Sequence, residues 1–261
     1  MNLSLTGKNA LVCGGSQGIG AAAAIELATL GANVTLMARD AERLNQVLAQ
    51  LPCSAGQCHS ILVANFAHNT EVQSVMESFV QNNTIHILVN NTGGPNPGKA
   101  HEANIDEFRL AFNLHLINFQ IITQALLPKM KESGYGRIIN VISTSVKQPL
   151  PNLGVSNTIR GAVANWAKTL SSELGPFGIT VNNVLPGATS TGRLSQIINN
   201  KAAKTGHSVD DVTDEMKKEV PLGRLALPEE IAAGIAFLST PAAAYINGIN
   251  LPIDGGRTLS L

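Results

Sequence analysis

Ten residues near the start of the chain, Leu11, Val12, Cys13, Gly14, Gly15, Ser16, Gln17, Gly18, Ile19 and Gly20, constrain its fold more than any other segment. The apolar run up to Cys13 predicts a buried strand and the Ala-rich stretch 21–30 predicts a helix, so the glycines fall on a strand-to-helix turn. Glycine lets the backbone bend tightly and approach a ligand closely, while the free N–H groups and positive end of the following helix attract an anion. In this context the glycines at 14, 18 and 20 point to a nucleotide diphosphate, with Gly14, Ser16, Gln17, Gly18, Ile19 and Gly20 as its contacts. Without the flanking strand and helix, the same glycines read equally well as ordinary loop chemistry.

Strand and helix patterns then alternate. Strands are predicted at 9–13, 33–37, 58–63, 85–89, 136–142, 179–185 and 248–253, with helices at 40–51, 70–80, 105–130 and 155–174. This alternation predicts an α/β fold with a parallel sheet covered on both faces and ligands at the carboxyl ends of its strands. A chain of 261 residues fits one such domain, 1–261. Lys plus Arg equals Asp plus Glu at 18 each, so no net field draws nucleic acid or an anionic membrane. The N-terminus lacks a basic region followed by an apolar stretch, and no uninterrupted apolar run approaches membrane-spanning length, which makes a cytoplasmic protein the expectation. Cys13, Cys53 and Cys58 are an odd, sparse set that fits free thiols in a reducing compartment. Cys58 and His59 near Cys53 lack a second ligand cluster, so no metal site is expected.

The strand ends carry the chemistry. The second strand closes on Met37, Ala38, Arg39 and Asp40. Ala38 stands where an acid would hold the adenosine ribose hydroxyls, and the guanidinium of Arg39 suits forked hydrogen bonding to a 2′-phosphate, which favours NADP over NAD. The plainer alternative has Arg39 opening the next helix with Asp40 as its N-cap. Asn65 and Phe66 follow the third strand, and Asn90, Asn91, Thr92, Gly93, Gly94 and Pro95 end the fourth, beside the first turn. Asn113 lies inside a predicted helix, where asparagine is a poor former and calls for a side-chain partner. Ser143, Thr144 and Ser145 sit at the end of the fifth strand, where chemistry is expected. The segment 188–227 is longer than a connection needs, and its predicted helices at 195–204 and 209–220 read as a substrate lid or an oligomer contact. Leu194, Ile197 and Ile198 in it would face an acyl substrate or dock the helix to the core.

Taken together, the order Gly14-x3-Gly18-Ile19-Gly20, Asn90-Asn91-x-Gly93, Asn113, Ser143, Pro186-Gly187 with Thr191, and Asp254-Gly255-Gly256 resembles the short-chain dehydrogenase/reductase family over essentially the whole chain. The overall look is similar to bacterial 3-oxoacyl-[acyl-carrier-protein] reductase-like members. The resemblance implies a Rossmann fold, a doubly wound seven-stranded parallel sheet. It also implies that Asn90, Asn91 and Gly93 line the adenosine and ribose side, with Asn65 and Phe66 beside the adenine. Pro186, Gly187, Thr189 and Thr191 would hold the nicotinamide carboxamide and pyrophosphate. A small-molecule or acyl-carrier substrate and a homo-oligomer, a dimer or tetramer built through the helices holding Asn113 and Ser156, follow from it too. Cys13 replaces the usual Thr before the glycines, and Asn65 replaces the usual Asp.

One departure is larger. The family's Tyr-x-x-x-Lys signature begins thirteen residues beyond the catalytic Ser; counted from Ser143, that reaches Ser156 and then Arg160. The usual mechanism needs a phenol, of ordinary pKa about 10, lowered by the neighbouring ammonium. A serine hydroxyl is shorter and far less acidic, and arginine does not surrender its proton. Tyr135 and Tyr245, the only tyrosines, are predicted at the far end of the fifth strand and near the C-terminus. Two readings follow. In one, Ser143 polarises an acceptor, Arg160 positions Ser156 or stabilises developing negative charge, Asn113 supports the site, and water or Lys147 supplies the proton. In the other, the chain binds NADP as a sensor or structural ligand without turnover.

Overall fold

In a computed structural model that describes residues 1–260, the first strand, β1 (Asn9–Cys13), divides its side chains between two cores. Ala10 and Val12 enter one; Leu11 and Cys13 enter the other. The strand pleat imposes this alternation, and both sets are apolar because both faces of the sheet are covered. The chain continues through α1 (Gly18–Thr29), β2 (Asn33–Ala38), α2 (Ala41–Leu48), β3 (Ser60–Val63), α3 (Asn69–Asn82) and β4 (Ile87–Asn90). Then come α4 (Ile105–Phe112), α5 (Asn118–Glu132), β5 (Gly136–Val141), α6 (Gly154–Leu174), β6 (Ile179–Pro186), α7 (Gly192–Thr205), α8 (Val209–Lys218), α9 (Pro228–Ser239) and β7 (Asn250–Ile253).

All seven strands are parallel, in the order β3-β2-β1-β4-β5-β6-β7. The order reverses between β1 and β4, which opens a crevice at their carboxyl ends. On one face α1 and α9 pack together, with Leu27, Ile231 and Ile235 fully buried. On the other, Met76 of α3, Ile122 and Met130 of α5 and Ala167 of α6 close over Leu88, Ile138 and Val181.

Two differences from the sequence reading stand out. Helix α9 was not anticipated, because PEEIAAGIAFLS is apolar nearly all round and shows little face alternation; its signals are Pro228 at the first helical position and Glu229 and Glu230 in the first turn. The predicted helix 105–130 is divided by a π-turn at Asn113–Ile117. There the Asn113 carbonyl accepts from Asn69 Nδ2 at 3.2 Å, whereas its side chain makes no hydrogen bond among the described residues. Asn118 takes the partner role instead, bonding Asn69 at 2.7 Å and the Phe66 carbonyl at 2.7 Å. By length and mean hydropathy of 1.3, Ile105–Glu132 would suffice to cross a membrane, a property that a search for uninterrupted apolar runs passes over. Here its Phe119, Ile122, Leu126 and Met130 are buried inside the domain.

The middle of the sheet is polar. Asn90, Asn140, Asn183 and Asn250 are register partners on β4, β5, β6 and β7. Each donates its side-chain amide to the next, Asn90 to Asn140 at 2.9 Å, Asn140 to Asn183 at 2.9 Å and Asn183 to Asn250 at 2.8 Å. Replacing Asn140 by Leu orphans the Asn90 amide and the Asn183 oxygen in the buried interior. At about 1–3 kcal/mol for each orphaned group, the midpoint of thermal unfolding is expected to fall by roughly 5–15 °C. Thermal circular dichroism checks this, and Asn250→Ala, at the half-buried end of the ladder, is expected to cost less than half as much.

Candidate active site at the carboxyl ends of the strands

The turn after β1 is built by close approach. Gly14 has φ of 61°, and a Cβ there would fall 2.7 Å from both the Asn91 amide nitrogen and the Asn91 carbonyl. A Cβ on Gly20 would lie 2.2 Å from the Gly14 carbonyl oxygen, and one on Gly18 3.2 Å from Thr191 Cγ2. The three glycines are therefore where the β1 turn, the first turn of α1, the loop after β4 and the start of α7 touch. Asn91 Nδ2 donates to the Gly14 carbonyl at 3.4 Å. Helix α1 begins without a side-chain cap at Gln17 and without an acid in its first turn, so no carboxylate occupies its positive end. Half-buried Ser16 and Ile19 and exposed Gln17 frame this end. Cradle, open helix end and absence of acid together fit a dinucleotide diphosphate.

On the β2 side, Asp40 does cap α2, accepting from the Arg43 N–H at 3.1 Å. Capping leaves exposed Arg39 without a hydrogen bond or ion pair among the described residues. Arg43, which the sequence reading passed over, turns toward the glycine turn and donates to Gln17 Oε1 at 3.1 Å. It lies four residues after Arg39, one helical turn along, and that spacing is the signal that could have found it. Asn65 commits its Oδ1 to the Ala67 N–H at 3.1 Å, and Phe66 packs against the α3 and α5 core. The Asn90 side chain is wholly inside the sheet ladder, so of the two asparagines only Asn91 reaches the crevice. Around Gly93 the space is open. The expected cysteine and histidine near the third strand have structural partners: His59 accepts from the Val34 N–H at 3.1 Å, and the Cys58 N–H donates to Asn33.

On the β5 side, Ser143 caps a short 3₁₀ turn over Thr144–Val146, its Oγ accepting from the Ser145 N–H at 3.1 Å. Ser156, half-buried on α6, makes no side-chain hydrogen bond among the described residues. Arg160, one turn further, is buried, and its guanidinium does not hold Ser156 as expected. Nη1 donates instead to the Val141 carbonyl at 3.0 Å, at the end of β5. Its Nε is buried without a partner, and Nη2 lies 3.8 Å from where a Cβ on Gly94 would stand. Burial, and then the charge of Arg193, push the Arg160 pKa down to about 10. Arg193 Nη2 donates to the Pro95 carbonyl at 2.5 Å. Beneath this loop Thr92 Oγ1 meets His115 Nδ1 at 2.5 Å, while His115 Nε2 is buried without a partner. Burial, and then the Arg160 charge, hold His115 well below the usual histidine range.

His115 and Arg193 were likewise missed, and Thr92 was read only as part of the loop that ends the fourth strand. His115 lies two residues after Asn113 and Arg193 two after Thr191, but only the folded chain shows that they turn toward one loop. Tyr135 donates to the Ser239 carbonyl at 2.9 Å at the far end of the sheet, and Tyr245 is fully exposed rather than packed within the chain. A hollow of about 530 Å³ lined by both tyrosines and Arg137 belongs to that far end.

After β6, Pro186 and Gly187 run beside β7, with the Gly187 N–H on the Ile253 carbonyl at 2.9 Å. Thr189 is buried and Thr191 caps α7 through the Leu194 N–H at 3.3 Å. The base of the 188–227 segment is pinned by Ser190 N–H to the Ala226 carbonyl and Ala226 N–H to the Ala188 carbonyl, at 2.8 and 2.9 Å. Leu194 and Ile198 do not dock to the main core; with Val212 and Met216 they join α7 to α8 as a small separate cluster.

Residues 14–258 match the family model described as Enoyl-(Acyl carrier protein) reductase. The chain is similar to the 3-oxoacyl-[acyl-carrier-protein] reductase of Synechocystis sp., at 32% identity over 98% of this chain and 99% of the relative. It is also similar to the 7alpha-hydroxysteroid dehydrogenase of Escherichia coli K12, at 28% over 100% and 98%. The solved L-sorbose reductase of Gluconobacter frateurii, complexed with NADPH and L-sorbose, superposes with a TM-score of 0.92 at 29% identity, covering all of both chains. On the glycine cradle, the strand order and these matches, the chain belongs to the short-chain dehydrogenase/reductase family of NAD(P)-dependent oxidoreductases.

Proposed function

We propose that the protein is an NADP(H)-dependent reductase that delivers hydride to a carbonyl, or to an activated double bond, of a small-molecule or 3-oxoacyl-like substrate. The observation that carries the reading is Arg160, a buried cation at the carboxyl end of β5 whose Nε is buried without a hydrogen-bond partner among the described residues. In this reading Gly14 to Gly20 and Thr189 to Thr191 hold the diphosphate, Arg39 and Arg43 the 2′-phosphate, and Asn91 and Gly93 the ribose side. NADPH, the cofactor of the L-sorbose reductase, supplies the hydride when bound. Ser143 Oγ, its lone pair occupied by the Ser145 N–H, is left to donate its proton toward the acceptor oxygen. Arg160 stabilises the negative charge that develops there. Water or Lys147 completes the protonation, because His115, kept neutral by burial, is too weak an acid to serve at neutral pH.

The second reading, an inactive NADP-binding sensor or structural protein, is favoured by Ser156, whose hydroxyl has no partner to activate it. We also assign 188–227 as a substrate lid, the cytoplasm as location on the strength of three free thiols, and a dimer or tetramer through α4, where Ile105, Leu110 and Phe112 are exposed.

Three measurements test this. Reduced-nicotinamide fluorescence is expected to show tighter binding of NADPH than NADH, and Arg39→Ala and Arg43→Ala each weakening NADPH by roughly tenfold with NADH little changed; a folded protein that binds neither cofactor removes both readings. With an active substrate, Ser143→Ala is expected to lower kcat/KM about 10²–10³-fold, and unchanged turnover in Ser156→Ala and Arg160→Ala would sink the altered-site chemistry in favour of a different site. The third concerns pH. Because the folded pKa of His115 lies below its unfolded value, its contribution to stability is complete above about pH 6.5 and is lost as the pH falls below it, by up to about 1.4 kcal/mol per pH unit. Between pH 7.5 and 5 the unfolding midpoint of the wild type should therefore fall further than that of His115→Gln.

A further inference from the structure

Two guanidiniums meet at the loop after β4, and no carboxylate among the described residues pairs with either. Arg160, 7% exposed, leans against Gly94 from the scaffold side, and Arg193, half-buried on α7, holds the Pro95 carbonyl from the other. Neither takes part in an ion pair among the described residues. The acids that follow the loop in sequence are committed elsewhere: Glu102 to Lys99, Asp106 to Arg109 and Glu107 to the Asn104 cap. His115, on which the Arg160 charge acts, adds no negative charge either, since burial holds it neutral. A buried cation beside a second cation, with no counter-ion, is costly unless something outside the chain completes it.

We infer that the substrate itself carries an oxyanion, a free carboxylate beside its carbonyl or double bond, clamped between Arg160 on the scaffold and Arg193 on α7. This rests on the reductase reading and narrows it from a neutral thioester to a free keto or unsaturated acid. The diphosphate of the cofactor is the other source of oxyanion; its proposed cradle, Gly14 to Gly20 with Thr189 to Thr191, comes near Arg193 in sequence, but Arg160 is pinned to the Val141 carbonyl at the end of β5, two residues before Ser143. The two arginines lie on different elements, so a carboxylate bound by both also ties the 188–227 segment down over the acceptor. Guanidinium is suited to this role, since its planar fork matches a carboxylate with two hydrogen bonds.

The test is calorimetric titration of the full chain, with and without saturating NADPH, using acetoacetate and phenylpyruvate against their neutral amides. The acids are expected to bind at least about tenfold more tightly than the amides, and Arg193→Gln to reduce that preference to about twofold while leaving the NADPH Kd within about threefold. Arg160→Gln should do the same; if it does not fold, the half-buried Arg193 variant decides alone. Acids and amides that bind alike or not at all, in both forms of the protein, overturn the inference. So does an Arg193→Gln variant that loses NADPH affinity tenfold and keeps the acid preference, because Arg193 would then serve the cofactor diphosphate. A preserved acid preference in a protein that binds no NADPH upholds the anion clamp and brings down the reductase reading instead.

Discussion

The close approach of the Gly14 carbonyl to Gly20 is the contact on which the rest of the site depends. With the Gly20 Cβ position only 2.2 Å from that oxygen, α1 rises directly off the end of β1 instead of standing away from it. The same turn accepts the Asn91 amide and leaves Gly18 against Thr191, so three loops from β1, β4 and β6 share one junction. Because the sheet order reverses between β1 and β4, this junction is also where a crevice must open. A side chain at position 14 or 20 would separate the helix end from the loops, and the N–H groups of α1 would no longer face the space between them.

Behind that junction the asparagine ladder gives the site a rigid floor. Apolar strands register through side-chain alternation, which tolerates sliding among similar residues, whereas the three amide bonds linking Asn90, Asn140, Asn183 and Asn250 form only in one alignment. Asn90 is the last residue of β4, so the ladder sets the position of Asn91 and of the loop to which Arg160 and Arg193 both reach. A buried polar chain of this kind contributes less to stability than to specifying a single register, and the register is what the crevice geometry needs.

Much of this was legible in the chain and some was not. Strand β1 was read with its observed ends, and β2, β5 and β6 to within one residue, because apolar runs bounded by glycine, proline or asparagine leave little freedom. The glycine turn was legible because strand, glycine spacing and helix agree. Helix α9 escaped because a helix buried on most sides has no polar face to reveal its period. The π-turn at Asn113 escaped because one extra residue in a helix leaves no compositional trace, although the asparagine marked the place. For the site, position could be counted but direction could not. Ser156 and Arg160 were located one helical turn apart, yet the guanidinium makes its hydrogen bond to the Val141 carbonyl at the end of β5 and none to the Ser156 hydroxyl among the described residues.

That choice explains why the two substitutions belong together. An ammonium in the place of Arg160 would be a compact, rotatable charge able to tune a neighbouring phenol; a guanidinium pinned through Nη1 to a backbone carbonyl is neither compact nor free to turn. What it offers instead is a buried Nε donor, without a partner among the described residues and held in place by the pinned group, in a setting where burial strengthens every charge interaction. In the proposed reaction, proton donation and charge stabilisation would be divided between Ser143 and Arg160 instead of being performed jointly by one Tyr–Lys pair. That division would suit the anionic acceptor inferred above, because a cation fixed for an anion does not need to wait for the reaction to create one.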